Sequence, residues 1–187
     1  MRKVIAAINT TVDGFCDHTA LSPDEESHRH YTDLLNEGDA ILYGRKTFQL
    51  MQYWQPLVKK PSGEKEMDDF AVAIDRIPKV VFSKTLKDTH WETAKIATRE
   101  LEDEVLHLKN QKGRDIFVGS PGLIVSLSAL GLIDEYQLCV HPVVAGDGLP
   151  LFNRLKKRME FQLLRTKGFK SGAILLYYRP CGNYQSD

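Results

Sequence analysis

The chain has 187 residues, with 25 basic and 25 acidic side chains and a formal net charge of zero. This length suits one domain with a substantial core, so we expect a single unit at residues 1–180 and a tail at residues 181–187. A neutral chain has no overall field that attracts nucleic acid or an acidic membrane, and we expect neither as a partner. No apolar run approaches the ~18 residues that a membrane-spanning helix needs. Three widely spaced cysteines favour a reducing cytoplasm over a secreted disulfide scaffold.

Strands and helices alternate through the first two thirds of the sequence. Apolar runs and helical spacing predict strands at residues 4–8, 40–43, 79–82, 94–97 and 115–118, and helices at residues 22–36, 45–53, 64–77, 99–111 and 123–130. We expect Ser22 to cap the first helix and residues 56–63 to form a loop. Such alternation predicts a mostly parallel sheet with helices on both faces.

The last third of the sequence has a different pattern. It predicts a strand at residues 135–142 and then a hairpin of residues 161–169 and 173–178. Gly172, between the two hairpin strands, suits a tight reversal with positive φ. The predicted fold is therefore α/β, with a central sheet that begins parallel and ends in an antiparallel hairpin.

A short turn, Gly44-Arg45-Lys46-Thr47, lies where a buried strand gives way to a helix. Open α/β sheets bind ligands at the carboxyl ends of their strands, which is where this turn is predicted to lie. Glycine permits close backbone approach, helix N–H groups attract anions, and Arg45 and Lys46 add positive charge. The turn therefore predicts a phosphate site. The alternative is that Gly44 only turns the chain while the two basic side chains are solvated.

A second glycine-containing turn follows another apolar strand and begins another helix. It reads Gly119-Ser120-Pro121-Gly122, followed by Leu123. Two such turns can hold both ends of a dinucleotide, although the G-x-G-x-x-G pattern of ordinary dinucleotide-binding folds is absent from the sequence. A purely structural turn is again the alternative.

Five short segments occur in an order that resembles a known fold. They are Val12-Asp13-Gly14-Phe15, then the Gly44 turn, then Val81-Phe82-Ser83-Lys84-Thr85-Leu86, then the Gly119 turn, and finally His141-Pro142-Val143-Val144-Ala145-Gly146-Asp147-Gly148 with Leu151-Phe152. On these segments, residues 3–180 resemble the dihydrofolate reductase fold, a three-layer α/β/α domain. Within it they are most similar to the RibD C-terminal domain, the reductase half of the riboflavin-biosynthesis deaminase/reductase.

The resemblance implies NADPH as the cofactor and assigns residues to it. The Gly44 turn would hold the pyrophosphate and the 2′-phosphate, Phe82, Ser83 and Lys84 would border the adenosine, and residues 119–123 would hold the pyrophosphate with helix N–H groups. Ala7 would lie beside the nicotinamide. The resemblance also implies a small heterocyclic substrate, either an aminopyrimidine or a pterin-like ring.

The substrate side departs from the folate reductases. Their glycine pair after the fifth strand is replaced here by Gly119-Ser120, and the first helix has no clear match to their pterin-binding acid. Asp13 is our candidate proton donor, although an Asp-Gly pair is also an ordinary turn signal. His28 is a second candidate, although a helix histidine is more often a surface residue. The histidine spacing does not predict a metal site.

Two functional classes remain open on the sequence. One is an NADPH-dependent reductase of a small heterocycle, and the other is a protein of the same fold that binds the nucleotide without efficient chemistry. The apolar residues 174–178 of the last strand predict that one of its sides is covered. Because related reductase-like domains pair as homodimers, we expect a homodimer with a two-fold interface that uses the late strands.

Overall fold

A computed structural model describes residues 1–21, 23–156 and 158–182 of the chain. Eight strands form one sheet in the order β4-β3-β2-β5-β1-β6-β8-β7. The strands are β1 (Val4–Thr11), β2 (Ala40–Gly44), β3 (Lys79–Phe82), β4 (Ala94–Ile96), β5 (Ile116–Val118), β6 (Glu135–His141), β7 (Phe161–Gly168) and β8 (Ile174–Pro180). The helices are α1 (Glu25–Glu37), α2 (Arg45–Met51), α3 (Gln55–Lys59), α4 (Lys65–Arg76), α5 (Leu101–Asn110) and α6 (Pro121–Ala129).

The first six strands of the sheet pair in parallel, and the last two do not. β6 lies parallel to β1, whereas β8 pairs antiparallel with β6 and β7 antiparallel with β8. Gly172 has a φ of 85° in the connection between β7 and β8, as the sequence predicts. The mixed sheet with a terminal antiparallel hairpin is therefore confirmed.

Helices cover both faces of the sheet because its strands bury alternate side chains on opposite sides. Ala6 of β1 packs in a cluster with residues of α5 and α6, and the neighbouring Ile5 packs in a second cluster with residues of α1 and α4. A period of two along a strand places successive side chains on opposite faces. The result is the expected three-layer α/β/α arrangement, with one core on each side of β1, β2 and β5.

Two local predictions from the sequence are wrong. α1 begins at Glu25 and is capped by Asp24, whose carboxylate accepts from the Ser27 backbone N–H at 2.8 Å, so Ser22 is not the cap of this helix. Ser22 itself lies outside the described residues. The predicted loop at residues 56–63 contains most of α3, which a proline in its first turn helps to start.

The end of the predicted domain is described as far as Gly182. The backbone N–H of Cys181 donates to the Glu160 carbonyl at 2.8 Å, so the first residue of the predicted tail is attached to the sheet. Residues 183–187 lie outside the described residues. Within the described part of the chain, no helix has the length and apolarity needed to cross a bilayer.

Candidate functional site

The carboxyl ends of β1, β2 and β5 meet at one edge of the sheet. β5 lies between the other two and is parallel to both, with Ile116 opposite Val4 on one side and Ala40 on the other. Parallel strands present their carboxyl ends on the same side, so the two turns that follow β2 and β5 become neighbours. Residues 76 positions apart in sequence are thereby brought into contact.

A hydrogen bond joins the two turns directly. The Gly44 backbone N–H donates to Ser120 Oγ at 2.9 Å, and the Ser120 side chain is buried. Ser120 occupies the N-cap position of α6, but its hydroxyl makes no capping bond to that helix. Because the first N–H groups of a helix have no partner within it, those of Gly122 and Leu123 remain available to a ligand.

Glycine at these turns is not required by the protein itself. None of Gly44, Gly119 and Gly122 has a positive φ. A Cβ added at Gly44 would come no closer than 3.9 Å to a non-neighbouring atom, one at Gly119 no closer than 3.5 Å, and one at Gly122 would meet nothing within 4 Å. By contrast, a Cβ at Gly38 would overlap the ring of Phe117. The space left by the three turn glycines is therefore open to a molecule other than the chain.

The basic residues of the Gly44 turn occupy different positions. Arg45 and Lys46 both lie in the first turn of α2 with exposed side chains, but only Lys46 lines the adjoining cavity, together with Thr47. Arg45 is exposed and is not among the residues that line the cavity.

The third predicted cofactor segment lies next to the Gly44 turn. Phe82 is the Cα partner of Gly44 in the β2–β3 pairing and is half-buried. Ser83 Oγ accepts from the backbone N–H groups of Thr85 and Leu86, at 3.2 and 2.9 Å, and Lys84 is exposed. These residues form a surface outside the cavity lining, at the side of the Gly44 turn away from β5.

A cavity of about 540 Å³ opens beside the two turns. Of the predicted site residues, its lining includes Ala7, Lys46, Thr47, Gly119 and Pro121. The remaining wall is mainly apolar and comes from β1, β2, β5, the loop after β1, α1, α2 and α4; its apolar side chains include Leu21, Leu34, Leu35, Leu50, Met51 and Phe70. This volume is within the range of pockets that hold small organic ligands, about 300–1,000 Å³.

A hydrogen-bond network, which the sequence did not reveal, borders this cavity. Asn9 Oδ1 accepts from the Tyr31 hydroxyl at 3.0 Å and lies 3.0 Å from His141 Nε2. Cys139 Sγ lies 3.7 Å from the same imidazole nitrogen. Burial raises the pKa of Tyr31 well above its usual value and lowers that of His141, which keeps the phenol protonated and the imidazole neutral. Asn9 and Tyr31 both line the cavity.

Asp13 holds a loop rather than facing the cavity. Its carboxylate accepts from Thr11 Oγ1 at 2.6 Å and from the backbone N–H groups of Gly146 and Ala145 at 2.8 and 3.1 Å. These bonds, the Thr11 hydroxyl foremost, lower its pKa to about 2. Asp13 is not among the cavity-lining residues. The geometry therefore indicates a structural role and gives no support to Asp13 as a proton donor.

His28, the second candidate donor, is also separated from the cavity. Its ring packs edge-on against Trp54 at 5.9 Å and in a tilted arrangement against Phe70 at 6.2 Å between centroids. Burial lowers its pKa. His28 therefore supports Phe70, which lines the cavity, from behind.

Nearly the whole chain matches a known family model and two curated proteins. The model of the RibD C-terminal domain matches residues 2–175. The Bacillus subtilis protein YyaP, described as uncharacterized, is 36% identical over 185 residues, which cover 95% of this chain and 94% of YyaP. A second uncharacterized protein of the same organism, YwjB, is 26% identical over 95% of this chain and 98% of its own length.

Solved structures share the fold at low sequence identity. A putative riboflavin biosynthesis protein from Shewanella sp. PV-4 superposes with a TM-score of 0.72 and 18% identity, covering 97% of this chain and all of that one. A deaminase/5-amino-6-(5-phosphoribosylamino)uracil reductase from Thermotoga maritima gives 0.67 and 17%, with 96% of this chain matching 57% of that larger protein. These likenesses establish a dihydrofolate reductase-like fold. Together with the family match along nearly all of its length, they place the chain in the RibD C-terminal domain family.

Proposed function

We propose that the protein is a reductase that binds NADPH across the Gly44 and Gly119 turns and transfers hydride to a small heterocycle. The observation that carries the proposal is the open space at Gly44, Gly119 and Gly122, which neither backbone conformation nor packing explains. A pyrophosphate needs such close approach to backbone N–H groups. Membership of the RibD C-terminal domain family supports the same reading.

Different residues of the site would bind different parts of the cofactor. The N–H groups of Gly122 and Leu123 and the start of α6 would bind the pyrophosphate, while Ser120 keeps the two turns together. Arg45 and Lys46 would read the 2′-phosphate, since fixed positive charge distinguishes NADPH from NADH. Phe82, Ser83 and Lys84 would border the adenosine, and Ala7 would lie beside the nicotinamide.

When bound, a reduced nicotinamide supplies the hydride. The chain's own contribution is to align a substrate carbon with it and to exclude water from the apolar cavity. Leu34, Leu35 and Phe70 form walls suited to a flat ring. The Asn9–Tyr31–His141 network adds the polar side chains of Asn9 and Tyr31 to the cavity wall.

A second function is favoured by the engagement of Asp13 in its loop. Without that carboxylate, no acid of the cavity is assigned to deliver a proton, so the protein could bind NADPH without efficient turnover. Both functions share cofactor binding, and they differ in reductase activity toward aminopyrimidines and pterins. Activity of the wild type against either class would exclude the second function.

The shared part is tested by fluorescence titration with NADPH and NADH. We expect tighter binding of NADPH, and we expect Arg45→Ala combined with Lys46→Ala to remove most of the preference, about tenfold or more. Lys59→Ala with Lys60→Ala, two exposed bases at the end of α3, is the matched control. Absence of NADPH binding to the wild type would exclude both functions, and equal losses for both cofactors would mean that these side chains do not read the 2′-phosphate. The cytoplasm remains the proposed location, on the cysteine pattern of the sequence.

A further inference from the structure

The cavity wall contains the side-chain amide of Asn9, which is a hydrogen-bond donor. Both acceptor positions of Asn9 Oδ1 are occupied, one by the Tyr31 hydroxyl and one by His141 Nε2. His141 therefore carries its proton on Nε2, and the amide oxygen of Asn9 is held in place. In the part of the chain that the structure describes, the Asn9 amide nitrogen has no hydrogen-bond partner. Because Asn9 lines the cavity, its N–H groups are available to an acceptor on a bound ring.

The cavity contains little positive charge. Among the described residues that line it, Lys46 is the only lysine or arginine, and it belongs to the turn assigned to the cofactor. The one acidic residue of the lining, Asp17, would repel an anion, and its carboxylate already accepts from the Leu149 backbone N–H. A buried phosphate needs paired cations or several N–H donors, because an unpaired charge is costly to remove from water.

The rest of the cavity wall favours a ligand with flat apolar faces. Leu34 and Leu35 of α1 lie in the same core as Phe70 of α4, and Leu50 and Met51 of α2 complete the lining there. A planar heteroaromatic ring can bury both of its faces against such side chains without leaving polar groups unpaired.

We infer that the substrate is an uncharged planar heterocycle without a phosphate group, held by a ring carbonyl or ring nitrogen that accepts from the Asn9 amide. This inference rests on the proposed reductase function and narrows its substrate class. It separates this chain from an enzyme for 5-amino-6-(5-phosphoribosylamino)uracil, the compound that the name of the Thermotoga maritima protein carries.

The test compares matched ligands on the complex with NADP⁺, which provides no hydride, so that binding is measured without turnover. Calorimetric titration would use 7,8-dihydropterin, 5-amino-6-(ribosylamino)uracil and the 5′-phosphate of the latter. We expect at least one of the two phosphate-free compounds to bind at least tenfold more tightly than the phosphate. Equal or tighter binding of the phosphate would overturn the inference, and failure of NADP⁺ itself to bind would instead reject the proposed function.

Two variants test the residues that carry the inference. Asn9→Asp keeps the shape and both accepted hydrogen bonds but removes the N–H donor, so we expect at least a tenfold loss of affinity for the phosphate-free ligand with NADP⁺ affinity unchanged. Leu50→Arg adds a cation at a partly exposed cavity position, and we expect it to raise the affinity for the 5′-phosphate relative to the unphosphorylated compound. Tyr53→Arg adds the same charge at an exposed position outside the lining. Unchanged ligand affinity in Asn9→Asp, or an equal effect of the two arginines, would contradict the inference.

Discussion

The backbone N–H of Gly44 and the hydroxyl oxygen of Ser120 are 2.9 Å apart, and this hydrogen bond connects the turn after β2 to the turn after β5. The serine gives up the capping of its own helix to make it. One side chain therefore fixes the spacing of both turns and leaves the N–H groups of α6 uncapped. If the two turns share one dinucleotide, their spacing decides how well it binds.

Ser120→Ala should weaken the cofactor more than it weakens the fold. We expect NADPH affinity to fall about five- to tenfold, and the free energy of unfolding to fall by about 1–2 kcal/mol because the buried Gly44 N–H loses its partner. Cofactor titration and urea unfolding measure the two effects. Ser126→Ala is the control, since the hydroxyl of this exposed serine of the same helix donates to the Gly122 carbonyl at 3.0 Å. An unchanged NADPH affinity in Ser120→Ala would mean that the turns do not act together.

The turn glycines give a prediction that separates ligand binding from stability. Gly119→Ala should leave thermal stability nearly unchanged, because its Cβ would meet the Tyr43 ring at an ordinary 3.5 Å. We expect NADPH affinity to fall about tenfold, because the same methyl group occupies the approach of the pyrophosphate. Gly38→Ala should behave in the opposite way, with a lowered melting temperature from the overlap with Phe117. A Gly119→Ala protein that binds NADPH normally would place the cofactor elsewhere.

Asp13 can be tested by a change of charge at constant shape. The hydrogen bonds to its carboxylate lower the folded-state pKa from 3.8 to about 2. The stabilisation from Asp13 is therefore fully present above pH 3.8 and is lost as the pH falls through about 2. We expect Asp13→Asn to lower the melting temperature at pH 7. We also expect the melting temperature of this variant to depend less on pH between about 2 and 3.8 than that of the wild type. Turnover at pH 7 should stay within about fivefold of the wild type, whereas loss of a proton donor would cost about a hundredfold or more.

The sheet and the two turns could be predicted because they depend on local patterns. Apolar runs mark the buried parallel strands, and glycine followed by a helix start marks each turn. The order of the strands in the sheet then brings the two turns together. The sequence alone could indicate that order only through its resemblance to the dihydrofolate reductase fold.

The network at Asn9 could not be predicted, since its three members come from β1, α1 and β6. Asn9, Tyr31 and His141 are ordinary polar residues until the parallel pairing of β1 with β6 places residue 9 beside Cys139 and residue 11 beside His141. The loop contacts of Asp13 could not be predicted for a related reason. Its partners Ala145 and Gly146 lie 132 and 133 residues away, in a loop whose path no local signal describes.

The outer hairpin leads to a prediction about assembly. β7 is at the edge of the sheet, and Leu163, Leu164 and Ile174 of the hairpin are about half exposed. Apolar side chains on an unpaired edge favour association. We expect light scattering after size-exclusion chromatography to give a dimer at micromolar concentration, and Leu163→Glu to give a monomer. The Val72→Glu protein, which has a similar change at an exposed position of α4, should remain dimeric. A monomeric wild type would contradict the predicted homodimer.

The same hairpin is attached to α1 through a buried histidine. His30 packs against Phe169 and Tyr177 at 6.0 and 6.5 Å between ring centroids, and its Nε2 is buried without a hydrogen-bond partner in the described structure. Burial, followed by the nearby charge of Lys167, lowers its pKa from 6.5 to about 4. Below pH 6.5 the histidine is protonated in the unfolded chain, whereas in the folded chain it stays neutral down to about pH 4. The free energy of unfolding therefore falls as the pH is lowered from 6.5 to about 4.

His30→Phe should remove that dependence, because a phenyl ring has similar size and no nitrogen to protonate. Urea unfolding at pH 7.5 and pH 5 would measure it: the wild type should lose more stability between the two values than His30→Phe does. At pH 7.5 the variant should be more stable by about 1 kcal/mol, since a buried unpaired nitrogen is gone. His107→Gln, on the exposed side of α5, controls for loss of a histidine as such. An identical pH dependence in wild type and His30→Phe would mean that folding does not lower the pKa of His30 and would contradict this prediction.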